Sequence, residues 1–293
     1  MGININSKIL LSVASIAAAA ALIVGATIAF FSDTETSTGN IFAAGELDLQ
    51  IDAEAHYAGL TCTDGFWVED VPGQSTRPDL IGEPCEGTWT LKDLDESDRF
   101  FALTDIKPGD TGENTISLHV FNNDAWGRLV IENDLDEENG CGGEEVAVDP
   151  LCGSESDQDG EMQDNMQFFI WLDEGATIGF QGQDNGEGDN IQQDGELTLV
   201  TPGTLDEGGE TLPIWLGLAA AYLANGCIGD GSSTSDCPGL TSDGHIVGSI
   251  TYYFGLGWEL PGEVGNDVQT DSLTADMKFE AEQYRNNPSP FAP

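Results

Sequence analysis

The chain has 293 residues, with 53 acidic and 8 basic side chains and a formal net charge of −45 at pH 7. This charge excludes nucleic acid and anionic membrane surfaces as partners, because both repel an acidic protein. The apolar residues make up 39 % of the chain and are spread among the acids, which argues against a disordered acidic tail. Because molar salt screens repulsion between surface charges, the composition is typical of a protein from an extreme halophile.

The first residues are predicted to be an export signal. Residues 9–31 carry no charge and follow Lys8, and the small residue Ala29 offers a cleavage site. We expect signal peptidase to remove residues 1–29, leaving an extracellular protein that contacts a membrane only before cleavage. The alternative is a retained anchor, since this uncharged run is long enough to span a bilayer.

Residues 30–42 are predicted to form an extended strand with one uncharged face. That face carries Phe30, Ser32, Thr34, Thr36 and Thr38, and the other carries Phe31, Asp33, Glu35 and Ser37. Such a strand can add to the open sheet edge of a neighbouring molecule, with Phe30, Phe31 and Phe42 as apolar anchors. Repeated head to tail, this contact gives a homopolymer. The alternatives are a linker, or a strand of the chain's own sandwich.

The remaining residues, 43–293, are predicted to form a single all-β domain. Apolar and polar residues alternate at 47–52, 115–120 and 273–281, which predicts strands with one buried and one wet face. Residues 168–172 and 250–254 are apolar throughout, which is typical of central strands. Several such strands between turn-rich loops indicate a jelly roll or β-sandwich.

Three stretches rich in Gly, Asp and Glu interrupt this pattern, near 53–98, 133–165 and 181–195, and are predicted to be surface insertions. Residues 213–224 fit either a helix or a strand. Six cysteines in an exported chain indicate disulfides. Pairing between neighbours in the sequence is expected, as Cys62–Cys85, Cys141–Cys152 and Cys227–Cys237.

The acidic loops are the candidate metal sites. Asp157, Asp159 and Glu161 form one group of oxygen donors and Asp184 and Asp189 another, which makes calcium the candidate ion for these loops. Acid-rich loops of this kind are usually only solvated, so no cofactor is expected. Neither loop has the EF-hand pattern.

Catalytic residues are not apparent in the sequence. It contains no His-Glu-x-x-His, and His56, His119 and His245 lie in three different contexts. We therefore expect no enzyme activity.

Several motifs along the chain recur in one known family. They are Phe31-Ser32-Asp33 followed by Gly45-Glu46-Leu47-Asp48-Leu49, the turn Lys107-Pro108-Gly109-Asp110 before a strand ending in Asn122-Asn123, and a C-terminal stretch from Trp258 to Asn287. These resemble the camelysin/TasA family, and most closely its archaeal bundling-pilus subunits. Asp124 stands where the family usually has glycine.

The resemblance implies a secreted structural subunit of an extracellular filament or biofilm matrix. In fibre-forming members the N-terminal strand passes into the next subunit, which corresponds here to residues 30–42. Two other functions stay open: a membrane-anchored binding module at the cell surface, with or without a dependence on calcium, and a metalloprotease, the activity behind the name camelysin.

Overall fold

The computed structural model describes the backbone of residues 32–36 and 41–42, and residues 47–154, 159–182, 186–205 and 208–292 in full. The predicted signal peptide (1–29) lies outside these residues. So do Phe30, Phe31 and Thr38 of the predicted donor strand, and Asp157 and Asp184 of the predicted metal loops.

Strands dominate the described residues. They are β1 (Ser32–Thr36), β2 (Ile41–Phe42), β3 (Asp48–Tyr57), β4 (Leu60–Thr63), β5 (Phe66–Glu69), β6 (Trp89–Lys92), β7 (Thr111–Phe121), β8 (Ala125–Glu137), β9 (Gln167–Leu172), β10 (Thr198–Gly203), β11 (Glu210–Pro213), β12 (Thr251–Glu259) and β13 (Ser272–Gln283). The helices are α1 (Met162–Asn165) and α2 (Ile214–Asn225), with 3-10 turns at Pro78–Leu80, Glu145–Ala147 and Asn266–Val268.

The strands form two antiparallel sheets. The first has the order β11-β8-β13-β1-β2, and the second has the order β10-β9-β12-β7-β3-β4-β5, with β6 also paired to β3. Side chains of both sheets meet in one core, where Phe279 of β13 lies against Phe100, with ring centroids 5.7 Å apart. The all-β sandwich class predicted from the sequence is confirmed.

Hydrophobic periodicity locates the main strands. In β3 the residues from Leu49 to Tyr57 alternate between buried and more exposed positions, and all residues from Tyr252 to Trp258 of β12 are buried. In β13 the pattern changes at Ala275, which is exposed because a bulge shifts the register with β8.

The outer face of the second sheet is less exposed to solvent than the alternation of apolar and polar residues predicts. Thr115 and Ser117 of β7 are buried although they lie on its polar face. The loop after β9 crosses this face: Gly188 approaches the ring of Tyr253 on β12, and Asn190 contacts His56 on β3. Since β7 lies between β12 and β3, the loop shields its polar side chains from solvent.

Two predicted insertions begin later than expected. Residues 53–57 complete β3 and pair with β7, and residues 133–137 complete β8. The acids in these stretches lie within ordinary strands, where Glu54 of β3 is exposed and Asp136 of β8 is buried. A high acid content therefore does not mark an insertion here. Residues 213–224 fall largely in α2, which ends where Gly226 adopts a left-handed conformation with φ 65°.

The three predicted disulfides are confirmed. Cys62 pairs with Cys85, Cys141 with Cys152 and Cys227 with Cys237, across sequence separations of 23, 11 and 10 residues. Each closes a local loop.

The Lys107–Asp110 turn is anchored by a buried polar cluster. Asp110 accepts hydrogen bonds from the Tyr57 hydroxyl at 2.6 Å and from the Lys107 backbone N–H at 2.8 Å. Arg77, whose side chain is 8 % exposed, donates to the Tyr57 hydroxyl at 2.8 Å and to the backbone oxygen of Asp105 at 3.0 Å. The turn is thereby fixed to the end of β3.

Candidate functional site

The N-terminal strand β1 lies next to the edge of the first sheet, between β13 and the two-residue edge strand β2. It pairs antiparallel with β13, from Ser32 opposite Glu282 to Thr36 opposite Lys278. The chain then returns, so that Ile41 and Phe42 of β2 pair with β1 on its other side. Within a single chain, the segment predicted as a donor therefore occupies its own sandwich, which was one of the alternatives left open by the sequence.

The strand β13 forms a much longer ladder with β8 than with β1. Eleven of its residues pair with β8, and five pair with β1. Two ion pairs, Arg128–Glu280 and Lys278–Glu132, also join β8 and β13. The edge that receives β1 is thus held in place from the β8 side.

The register leaves room for a longer donor. Along residues 272–276, no strand of the described residues pairs with β13 on the side that β1 occupies. Continued beyond Thr36, the β1 register would place Phe42 opposite Ser272, the first residue of β13. An extended segment from Ser32 to Phe42 therefore matches the length of β13 from Ser272 to Glu282.

The predicted metal residues that the structure describes are not brought together. Asp159 is exposed. Glu161 lies within reach of Glu138 and Asp149. Asp189 accepts hydrogen bonds from the Ile191 backbone and the Gln193 side chain, and it belongs to none of the metal-compatible groups among the described residues.

A buried acidic cluster lies instead at the start of β13, and the sequence analysis missed it. It comprises Glu138, Glu145 and Asp271. Burial, and then the charges of Glu138, Asp136 and Glu145, raise the pKa of Asp271 to about 6. Its members are separated by up to about 130 positions, so no sequence motif unites them.

A second set of buried carboxylates organises the loop that follows β9. Asp173 accepts from the Gly188 backbone, and Glu174, only 3 % exposed, accepts from the Gly179 backbone at 2.8 Å. Burial, together with the charge of Glu187, raises the pKa of Glu174 to about 7. Backbone N–H groups, rather than lysine or arginine side chains, donate these hydrogen bonds to Asp173 and Glu174.

The histidines do not assemble a metal site among the described residues. The groups of three side chains close enough to share an ion consist of carboxylates and the Cys141–Cys152 pair, with no histidine. The disulfide removes both of those thiolates as ligands. His56 lies 3.1 Å from Glu54, and His119 lies 3.3 Å from Asp52.

The N-terminal segment carries the family signal. Residues 4–57 match the family model of the camelysin metallo-endopeptidases. The resemblance to the camelysin family is confirmed over this segment, which ends with β3. No curated protein matches the chain. The name of the family refers to peptidase activity, and His56 is the only histidine in the matched residues.

None of the helices among the described residues is both long and apolar enough to cross a membrane.

Proposed function

We propose that this protein is the secreted subunit of an extracellular filament, and that it polymerises by passing residues 30–42 to the next subunit. The observation that carries the proposal is the position of β1, which pairs with β13 and is followed in the first sheet only by the two-residue strand β2. Export, removal of residues 1–29 and a function in high salt are parts of the same proposal. The camelysin family match covers the donor segment itself and supports this assignment.

Exchange between subunits is chemically simple at this edge. The pairing of β1 with β13 uses main-chain hydrogen bonds, which a second copy of the segment can supply in the same register. Because β13 is already paired along its length to β8, the acceptor edge does not depend on β1 for its shape. Each subunit would carry one donor segment and one acceptor edge, and this head-to-tail contact grows into a filament when it does not close into a ring.

A subunit that donates residues 32–42 to its neighbour forms more residue pairs with β13 than a subunit that keeps β1 in its own sheet. In a single chain β1 contributes five residue pairs with β13 and two with β2. An extended donor from Ser32 to Phe42 reaches all of β13 from Glu282 to Ser272. This gain favours the filament once the neighbouring edge is available.

Cysteine cross-linking distinguishes the two forms. Thr34 and Glu280 are directly opposite each other, and directly opposed residues of an antiparallel pair have Cα atoms about 5 Å apart, within the range of a disulfide. The double variant Thr34→Cys/Glu280→Cys is expressed in the native cells, and filaments sheared into molar salt are run on a gel without reductant. We expect a ladder of covalent oligomers that collapses to one band with reductant.

The single variants Thr34→Cys and Glu280→Cys are the matched controls and should give no ladder. Strand exchange would be refuted if the double variant assembles into filaments but its two new cysteines form a disulfide only within one chain. Deletion of residues 30–42 should leave a soluble monomer, and Thr34→Lys should weaken polymerisation. Absence of the chain from any filament, seen by electron microscopy with a specific antibody, would refute the filament function itself.

A further inference from the structure

Three carboxylates from separate parts of the chain meet beside the start of β13. Glu138 follows β8, Glu145 opens a 3-10 turn, and Asp271 directly precedes β13. Each supplies one oxygen to a group whose atoms all lie within 4.8 Å of one another. Glu145 is completely buried, and Glu138 is 8 % exposed.

Each carboxylate is held by one oxygen and presents the other. Glu138 Oε1, Glu145 Oε2 and Asp271 Oδ2 accept hydrogen bonds from backbone N–H groups. The donors are Gly140, Gly142 and Glu161, at 3.0, 2.5 and 2.8 Å. The second oxygen of each, Glu138 Oε2, Glu145 Oε1 and Asp271 Oδ1, is buried and accepts no hydrogen bond from the described residues.

No protein cation balances this group. In the part of the chain that the structure describes, no lysine, arginine or histidine forms an ion pair with Glu138, Glu145 or Asp271. Burying several carboxylate oxygens with neither a hydrogen-bond donor nor a counter-ion is strongly unfavourable. The backbone donors fix the orientation of the three carboxylates, each of which brings one oxygen to within 4.8 Å of the others.

We propose that Glu138, Glu145 and Asp271 bind a calcium ion. Calcium prefers carboxylate oxygens at about 2.4 Å, so one ion can contact oxygens that lie up to about 4.8 Å apart. Its flexible coordination by six to eight oxygens fits this irregular set better than the strict octahedron of magnesium. Asp149 and Glu161, which form a second group around Glu138, lie where they can complete the ligand set.

The ion would reinforce a connection that hydrogen bonds already make between two parts of the structure, from Asn266 to Glu144 and from Thr270 to Glu145, both at 3.4 Å. Glu145 belongs to the loop closed by Cys141–Cys152, whereas Asp271 belongs to the entry into β13. Calcium would therefore fasten this loop to the start of β13.

Calorimetric titration of the purified mature chain tests the site. After chelator treatment, the protein in molar NaCl is titrated with calcium chloride or with magnesium chloride, and its melting temperature is measured with and without calcium. We expect saturable calcium binding, much weaker magnesium binding, and a higher melting temperature with calcium. Glu145→Gln should weaken calcium binding at least about tenfold, because it removes a charged ligand.

The control variant is Glu96→Gln, which makes the same charge change at an exposed position and should bind calcium like the wild type. Glu145→Gln can keep the hydrogen bond to the Gly142 backbone, so it is expected to fold, and its melting temperature without calcium checks this. Calcium binding that survives Glu145→Gln unchanged would overturn the proposal, as would no saturable binding by the wild type. These measurements use the monomer, so failure of strand exchange would leave their outcome unaffected.

Discussion

Replacing Arg77 with methionine should destabilise the protein far more than removing an exposed arginine. The guanidinium of Arg77 donates to Tyr57 and to Asp105, and its Nη2 lies 2.9 Å from a carboxylate oxygen of Asp79. Methionine keeps much of the apolar stem but supplies none of these donors. Asp110, 14 % exposed, would also lose the cation that lies 3.8 Å away.

The magnitude follows from burial. Removing one partner of a buried ion pair costs about 3–5 kcal/mol. The Asp79 and Asp105 side chains are 61 % and 68 % exposed and can return to water, so we expect a cost at or just below the lower limit of this range, about 2–3 kcal/mol. Arg99→Met is the matched control, because Arg99 and its partner Glu86 are 66 % and 55 % exposed and 3.8 Å apart. An exposed pair of this kind contributes about 0.5 kcal/mol or less.

Urea unfolding in molar NaCl, followed by tryptophan fluorescence, measures both variants. They change the net charge equally, so long-range repulsion cancels in the comparison. With a slope of about 3 kcal/mol per molar urea, Arg77→Met should lower the midpoint by about 0.5–0.8 M relative to Arg99→Met. Equal midpoints with unchanged slopes would refute the view that the Arg77 cluster fixes the turn.

Two further predictions concern buried acids and close backbone contacts. Because the pKa of Glu174 is raised from 4.5 to about 7, the folded state binds more protons than the unfolded state between these values, and stability should fall as pH rises from 5.5 to 8.5. Glu174→Gln should reduce that fall by about 2 kcal/mol in urea unfolding at the two pH values; an unchanged pH dependence would contradict this. Gly244→Ala would place a Cβ 1.8 Å from the Trp215 backbone oxygen, whereas Gly73, with a similar positive φ, has no atom within 4 Å. Gly244→Ala should therefore cost about 2 kcal/mol more than Gly73→Ala, and equal melting temperatures would contradict the close contact.

The sequence predicts those features that depend on neighbouring residues. Alternation locates β3 and β13 because the side-chain period of a strand is visible in any short window. The disulfides were predicted because each pair closes a local loop. Burial of Ser117 was not predictable, since the loop that covers it comes from about 70 positions further along the chain.

The acidic cluster of Glu138, Glu145 and Asp271 shows that a site is also hard to predict when its residues are far apart in the sequence. Among 53 acidic residues, Glu145 has no local feature that separates it from a solvated surface acid. Only the tertiary structure buries it beside Glu138 and Asp271. Composition predicts carboxylate oxygens as candidate metal ligands, but it cannot select which of them lie close together.

The short span of the disulfides bears on how this protein resists proteolysis. None of the three bonds joins one sheet to the other; each encloses a peripheral loop of the kind that proteases attack first. Reducing agents should therefore open the periphery to cleavage while the sandwich itself persists. The covalent bonds protect the loops, and non-covalent packing alone preserves the fold.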